Sequence, residues 1–188
     1  MKVTVFTQYD MTSDMKFVVD TSVVVSGLQS SAGASRLLLA AIAERALRPL
    51  VTVPVVLEYE DVLLRPDILA KTGLSPDQTK AFIDAFIAQS EAVVVHYRYR
   101  PSIADPADEA FVEALLNGNG DAVVTFNEKD FLSPFPPHAS RGVPVIQVIK
   151  PGEALKRLTW RPSAATPFAS QAPSWKTSSS RPKGTGSP

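Results

Sequence analysis

Short apolar runs alternate along the chain with longer stretches of helical periodicity. The first run, Lys16 to Asp20 (KFVVD), is too short for a helix, rich in Val and Phe, and closed by an acid, as expected of a strand buried on both faces of a parallel sheet. A polar turn is expected next. After it ASRLLLAAIAERAL reads as an amphipathic helix capped by Ser35, with Leu38, Ile42 and Leu47 on one side. Leu50–Val53 is a second short strand. Pro54 opens a helix, PVVLEYEDVLLR, whose apolar side holds Val55, Val56, Tyr59, Val62 and Leu63, and which Pro66 stops. Ser75 caps PDQTKAFIDAFIAQS, with Phe82, Ala85, Phe86 and Gln89 at helical spacing. A strand over Ala92–Val95, a helix from Asp105-Pro106 to Gly118, a buried strand AVVTF (122–126), a Pro-rich loop, a strand VPVIQVI and a short helix PGEALKRL complete the pattern. Strands alternating with helices in this order predict an α/β domain with a mostly parallel sheet, which gathers ligands outside the carboxyl ends of its strands.

Three segments follow. Residues 1–14 read as an N-terminal extension, with Met15 an alternative start and the short VTVF run a candidate edge strand. Residues 15–158 form the domain. Residues 159–188, rich in Ser, Pro, Thr and Ala, have too little apolar content to offset their ordering entropy and read as a disordered, solvated tail in which Trp160, Phe168 and Trp175 are the large hydrophobes. A length of 188 residues fits one domain with some excess.

The chain has no cysteine and two histidines, which excludes disulfides, thiol nucleophiles and Cys- or His-rich metal sites. A bound metal would have oxygen ligands, favouring Mg²⁺ or Mn²⁺. The net charge is zero but uneven: residues 15–158 hold 17 Asp/Glu against 14 Lys/Arg, and the tail holds four basic residues and no acid. A mildly acidic domain does not coat nucleic acid through phosphate contacts alone. No apolar run reaches membrane-spanning length and no signal-peptide pattern opens the chain, so a soluble, cytoplasmic protein is expected.

Four acids stand where a parallel sheet would bring them to one edge. Asp20 ends the first strand beside Thr21 and Ser22; Glu58 lies in the helix after the second strand; Asp108 is in the first turn after Pro106; Asp130, with Asn127 before it, follows AVVTF. Each has an ordinary structural explanation. Asp105 is expected as a helix N-cap rather than a ligand. Asp108 suits a helix dipole, Glu58 a solvated face and Asp130 a turn. The set as a whole points to a hard cation, because clustered carboxylates repel unless a cation or protons separate them. Arg36, Arg65, Arg98 and Arg100 are candidate phosphate contacts for which a solvated surface role is expected.

The segments FVVDTSVVVSGL, VPVVLEYEDVLLRPDI, DPADEAFVEALLNGNGDAVVTFNEKDF and GVPVIQVIKPGEALKRL, in this order, resemble the PIN domain, and most nearly its branch of toxin components of toxin–antitoxin systems. The resemblance covers about residues 15–158 and implies a three-layer α/β/α domain and a divalent-metal ribonuclease. It implies Asp20, Glu58, Asp108 and Asp130 as catalytic acids, with Asp20, Asp108, Asn127 and Asp130 around Mg²⁺ or Mn²⁺. Thr21, Ser22, Thr125 and Asn127 would support the site. Asn127 stands where many members carry Asp, which leaves the number of metals open. RNA as substrate, an antitoxin and a homodimer or higher oligomer are implied as partners. An RNA-processing nuclease without a toxin role, or a non-catalytic binding module with a degenerate site, remain alternatives. A phosphatase of the haloacid dehalogenase type is disfavoured because Ser22 stands where its second Asp is required.

Overall fold

The computed structural model describes residues 15–98, 100, 103, 105–131 and 146–162. The element order is β1 (Phe17–Val19), α1 (Thr21–Gln29), α2 (Ala34–Ala43), β2 (Leu50–Val51), α3 (Val53–Leu63), α4 (Pro66–Thr72), α5 (Pro76–Ala88), β3 (Glu91–Ala92), a 3₁₀ turn (Pro106–Asp108), α6 (Glu109–Asn117), β4 (Ala122–Val124), a second 3₁₀ turn (Glu128–Phe131), β5 (Val148–Ile149) and α7 (Pro151–Arg157). Every strand pairing is parallel: β4 lies between β1 and β5, and β2 pairs with β3. Since β2 also lies against β1, the strands follow one another as β3, β2, β1, β4, β5, and the winding reverses between β1 and β4.

Successive side chains of a strand point to opposite faces, yet Phe17, Val18 and Val19 of β1 and Ala122, Val123 and Val124 of β4 are all fully buried. Both faces of the sheet are therefore covered, giving the three-layer α/β/α architecture that the apolar runs predict. Helix α6 packs on β1, β2 and β4, while α1, α2 and α7 pack on one another. No helix among the described residues is long and apolar enough to cross a membrane.

Several boundaries differ from expectation for identifiable reasons. The polar turn after Asp20 is helix α1. Its Thr, Ser and Val residues have modest helix propensity, but the Asp20 side chain caps its N-terminus, and Val23, Val24 and Leu28 bury against the core. Ser35 is not the cap of α2. Gly33, at φ 111°, holds that place, and Ser35 is buried inside the first turn. Helix α2 ends at Ala43 rather than Leu47, with Arg45 at φ 60°. Pro66 both ends α3 and opens α4, an unexpected helix closed by Gly73 in the left-handed conformation at φ 67°. Ser75 caps α5 as expected, in a reciprocal capping box with Gln78.

The strand expected over Ala92–Val95 is Glu91–Ala92, and in Leu50–Val53 the last two residues belong to the start of α3, capped by Thr52. AVVTF is strand only to Val124, and VPVIQVI only at Val148–Ile149. Arg36, expected on the surface, is buried at 4% exposure, and Arg65 and Arg100 pair with Asp61 and Glu113. Trp160, expected in a solvated tail, packs against the core and donates from Nε1 to Glu44 at 2.7 Å. Residues 1–14, the Pro-rich loop at 133–142 and the tail beyond Pro162 lie outside the described residues.

Helices α1 and α2 approach closely at Gly27. A Cβ there would meet Leu39 Cδ1 at 2.5 Å and the Ser35 carbonyl oxygen at 3.0 Å. Leu39 can rotate away, but the backbone oxygen cannot. Gly27→Ala is expected to destabilise the fold by about 1–3 kcal/mol and lower the melting temperature by ~3–8 °C, as read by circular dichroism. An unchanged melting temperature would show that the two helices move apart freely.

Candidate functional site

The site grows from the carboxyl end of β1. The Asp20 backbone N–H donates to the Val124 carbonyl at 2.9 Å, continuing the β1–β4 ladder by one residue. The Asp20 carboxylate is buried, at 7% exposure. It accepts from the Ser22 N–H at 3.3 Å, from Ser22 Oγ at 2.6 Å and from Thr125 Oγ1. Thr125, fully buried, also accepts the Asn127 N–H at 2.9 Å. One threonine thus fixes both the β1 acid and the turn after β4. Thr21 is buried beside Asp20, while Ser22 is exposed.

Helix α3 is tied to the same edge. Tyr59, buried, donates its hydroxyl to the Val19 carbonyl, the last of β1. This contact sets α3, and with it the neighbouring, partly buried Glu58, against the residue before Asp20. Tyr59 also packs edge-on to Phe86, with ring centroids 5.4 Å apart.

The two 3₁₀ turns deliver the remaining acids. In a 3₁₀ turn, side chains at i and i+3 eclipse. Asp105 and Asp108 stand at that spacing across the first turn, and Asn127 and Asp130 across the start of the second. The turns are joined by the Asp105 N–H, which donates to the Asp130 carbonyl at 3.1 Å. Carboxylate oxygens of Asp105, Asp108 and Asp130 lie within 4.8 Å of one another. Asn127 Nδ2 donates to the Asp130 carboxylate, so Asn127 orients an acid of the cluster.

Electrostatics extends the group to five. Burial, followed by the charges of Asp20, Asp105, Asp130 and Glu58, pushes the Asp108 carboxyl up to about 7. Burial also raises Glu58; Arg65 opposes that shift, and Asp61 and Asp20 add to it. The four acids singled out in the sequence, Asp20, Glu58, Asp108 and Asp130, therefore share one field at the carboxyl edge. Asp105, read as a cap, is both a cap and a cluster member: its carboxylate accepts the Ala107 N–H at 2.9 Å. The DPAD spacing was the signal that could have revealed it, since a proline-led 3₁₀ turn eclipses its flanking acids. The edge lies where the strand winding reverses, the usual ligand position in open α/β sheets.

Residues 16–129 match the family model described as PIN domain. The chain belongs to the PIN domain family. The matched segment of this PIN domain contains Asp20, Glu58, Asp105, Asp108, Thr125 and Asn127, and Asp130 follows it directly. Among solved structures, the chain is similar to one in the crystal structure of VapBC2 from Rickettsia felis bound to a DNA fragment from their promoter. The TM-score is 0.48 and the identity 13%, over 72% of this chain and 98% of that one. No curated protein matches the sequence significantly.

The donor set of this PIN domain fits a divalent cation. It is all oxygen, three of its carboxylates can reach a common point, and the neighbouring acids add to burial in raising the Asp108 pKa, a repulsion that a cation would relieve. Without metal, Asp108 binds its proton more tightly in the folded chain, at about 7 against 3.8 unfolded. Its contribution to stability is thus fully present below about 3.8 and is lost as the pH rises through about 7. In EDTA the melting temperature should decline across that window, and Asp108→Asn should remove this part of the decline. Because metal requires the ionised carboxylate, added Mg²⁺ or Mn²⁺ should raise the melting temperature more near pH 8 than near about pH 5.5. An increment equal at both values would contradict an Asp108-centred site.

Proposed function

We propose that the chain is a divalent-metal-dependent ribonuclease that hydrolyses RNA phosphodiesters and acts as the toxin of a toxin–antitoxin pair. The observation that supports this reading best is the gathering of Asp105, Asp108 and Asp130 within ligand distance, in the field of Asp20 and Glu58, at the sheet edge. Asp108, Asp130 and Asp105, with Asp20, would hold Mg²⁺ or Mn²⁺, which when bound supplies charge for the scissile phosphate and lowers the pKa of an attached water.

The protein's own groups do the positioning. Ser22 and Thr125 fix the Asp20 carboxylate from two sides, so its direction is set before any substrate arrives. Asn127 does the same for Asp130. Glu58, whose carboxyl pKa is raised by partial burial, is suited to take a proton at its carboxylate from an attacking water. Thr21 closes the buried side of the Asp20 corner. The concentrated negative charge also suits an antitoxin that inserts a basic side chain among the carboxylates and so blocks the site. In this reading the protein acts in the cytoplasm and assembles as a homodimer or higher oligomer.

The test is cleavage of a mixed RNA substrate with Mg²⁺, Mn²⁺ or EDTA. The wild type should cut only with metal. Asp20→Asn and Asp108→Asn should each lose roughly 10²–10³-fold in rate, and Thr125→Val, which leaves every ligand in place, about 10–100-fold. Expression of the wild type should arrest growth and that of Asp20→Asn should not. A folded wild type that neither cuts RNA nor binds either ion would refute the catalytic reading.

A further inference from the structure

We propose that Phe126 is a base-stacking platform, a ring on which an unpaired nucleobase beside the scissile phosphate rests. The inference rests on the nuclease reading above and adds to it a specificity residue outside the acid set.

Phe126 is 49% exposed. It is held more firmly than most exposed aromatics. On one side Thr125 is fully buried, with its N–H on the Ile149 carbonyl at 3.0 Å and its hydroxyl on Asp20. On the other, Asn127 donates its N–H to Thr125 Oγ1 and its amide to Asp130, and its carbonyl accepts the Asp130 N–H at 3.2 Å. The backbone bearing the ring is therefore fixed relative to two of the acids. Phe131, at the end of the same turn, is buried at 3% exposure, so the turn does contribute an aromatic to the core, and that aromatic is not Phe126.

The surroundings favour a nucleic acid over a protein partner. Asn127, Glu128 and Lys129, which follow the ring, are all exposed and polar. Along its own turn Phe126 is thus an exposed ring followed by polar and charged residues rather than by further exposed apolar ones. Two cations issue from the same edge. Lys129 is in the turn after β4, and Lys150 follows β5, with its side chain 64% exposed and only loosely paired with Glu128 at 3.6 Å. An aromatic face with flanking ammonium groups is the combination that holds single strands: the ring takes a base and the cations take neighbouring phosphates. A duplex keeps its bases stacked inside and offers no free face to the ring.

The experiment compares wild type, Phe126→Ala, Phe126→Leu and Phe126→Trp on one short single-stranded RNA, on the same RNA with an abasic nucleotide at successive positions, and on a duplex. Circular dichroism verifies folding. Phe126→Ala should raise KM by about 5–100-fold and leave kcat within about threefold, since stacking acts on binding. Phe126→Leu should resemble Ala, because apolar bulk without a π-face does not stack, and Phe126→Trp should retain wild-type KM. One abasic position should reproduce the loss in wild type and add nothing in Phe126→Ala. Wild-type KM in the Ala variant on every substrate would overturn the proposal, and so would an Ala variant unchanged toward RNA but impaired in binding a protein inhibitor. Failure of folded wild type to cut any RNA would remove the nuclease reading and this one together. An active wild type with an indifferent Phe126 would remove this one alone.

Discussion

The buried carboxylate of Asp20 is the interaction on which the arrangement turns. A charge at 7% exposure is tolerable only if its oxygens are hydrogen-bonded, and the donors come from two separate places: Ser22 at the start of α1 and Thr125 at the end of β4. Hydrogen bonds to a charged group contribute about 1.5–3 kcal/mol each, and an unmatched buried charge costs more than that. Any rearrangement that parts β1 from β4 therefore takes the Thr125 donor from the carboxylate as well as breaking the ladder. The same carboxylate that caps α1 also accepts from Thr125, which fixes the register at which the turn after β4 leaves the sheet. The position of every later acid, Asp130 and through it Asp105, is referred to that register.

The remainder of the site works against the fold. Five carboxylates in one field repel, and burial together with that repulsion pushes the Asp108 carboxyl up to about 7. The scaffold withstands it because the acids stand on rigid supports rather than on a single long loop. Tyr59 bolts α3 to the last carbonyl of β1, and α6 lies on β1, β2 and β4 directly behind the first 3₁₀ turn. Strands β1 and β4 beneath are fully buried on both faces. Stability is surrendered at the sheet edge and held in the apolar layers, the usual division between a functional site and its support.

The strands, the amphipathic helices and four of the five acids were legible because their signals are local: apolar runs of the right length, helical spacing, and an acid at each strand end or helix start. What was not legible depends on tertiary contact. TSVVVSGLQ has the residues of a turn, and becomes a helix because Asp20 caps it and the core takes Val23, Val24 and Leu28. Ser35 looks like a cap, but the cap falls two residues earlier at a positive φ, which Gly33 supplies. Arg36 and Trp160 were assigned to solvent by type and by neighbourhood, and the fold buries the first and packs the second on its core. Asp105 was assigned a cap and nothing more, although the two roles are compatible: one oxygen accepts Ala107 N–H while the carboxylate stays within reach of Asp108 and Asp130.

Asn127 illustrates how the same residue reads differently in sequence and in space. As a position in a motif it is a missing charge. In the turn it stands at i, eclipsing Asp130 at i+3, where a second carboxylate would press directly on the first. The amide instead donates to Asp130, while its own backbone N–H and carbonyl tie the turn to Thr125 and Asp130. Negative charge is given up for orientation: one acid fewer for a cation, and one acid better fixed. Asp105, brought in by the neighbouring turn, adds a carboxylate to the group from a different direction. The two groups of acids meet because two 3₁₀ turns are joined at the Asp105–Asp130 backbone contact.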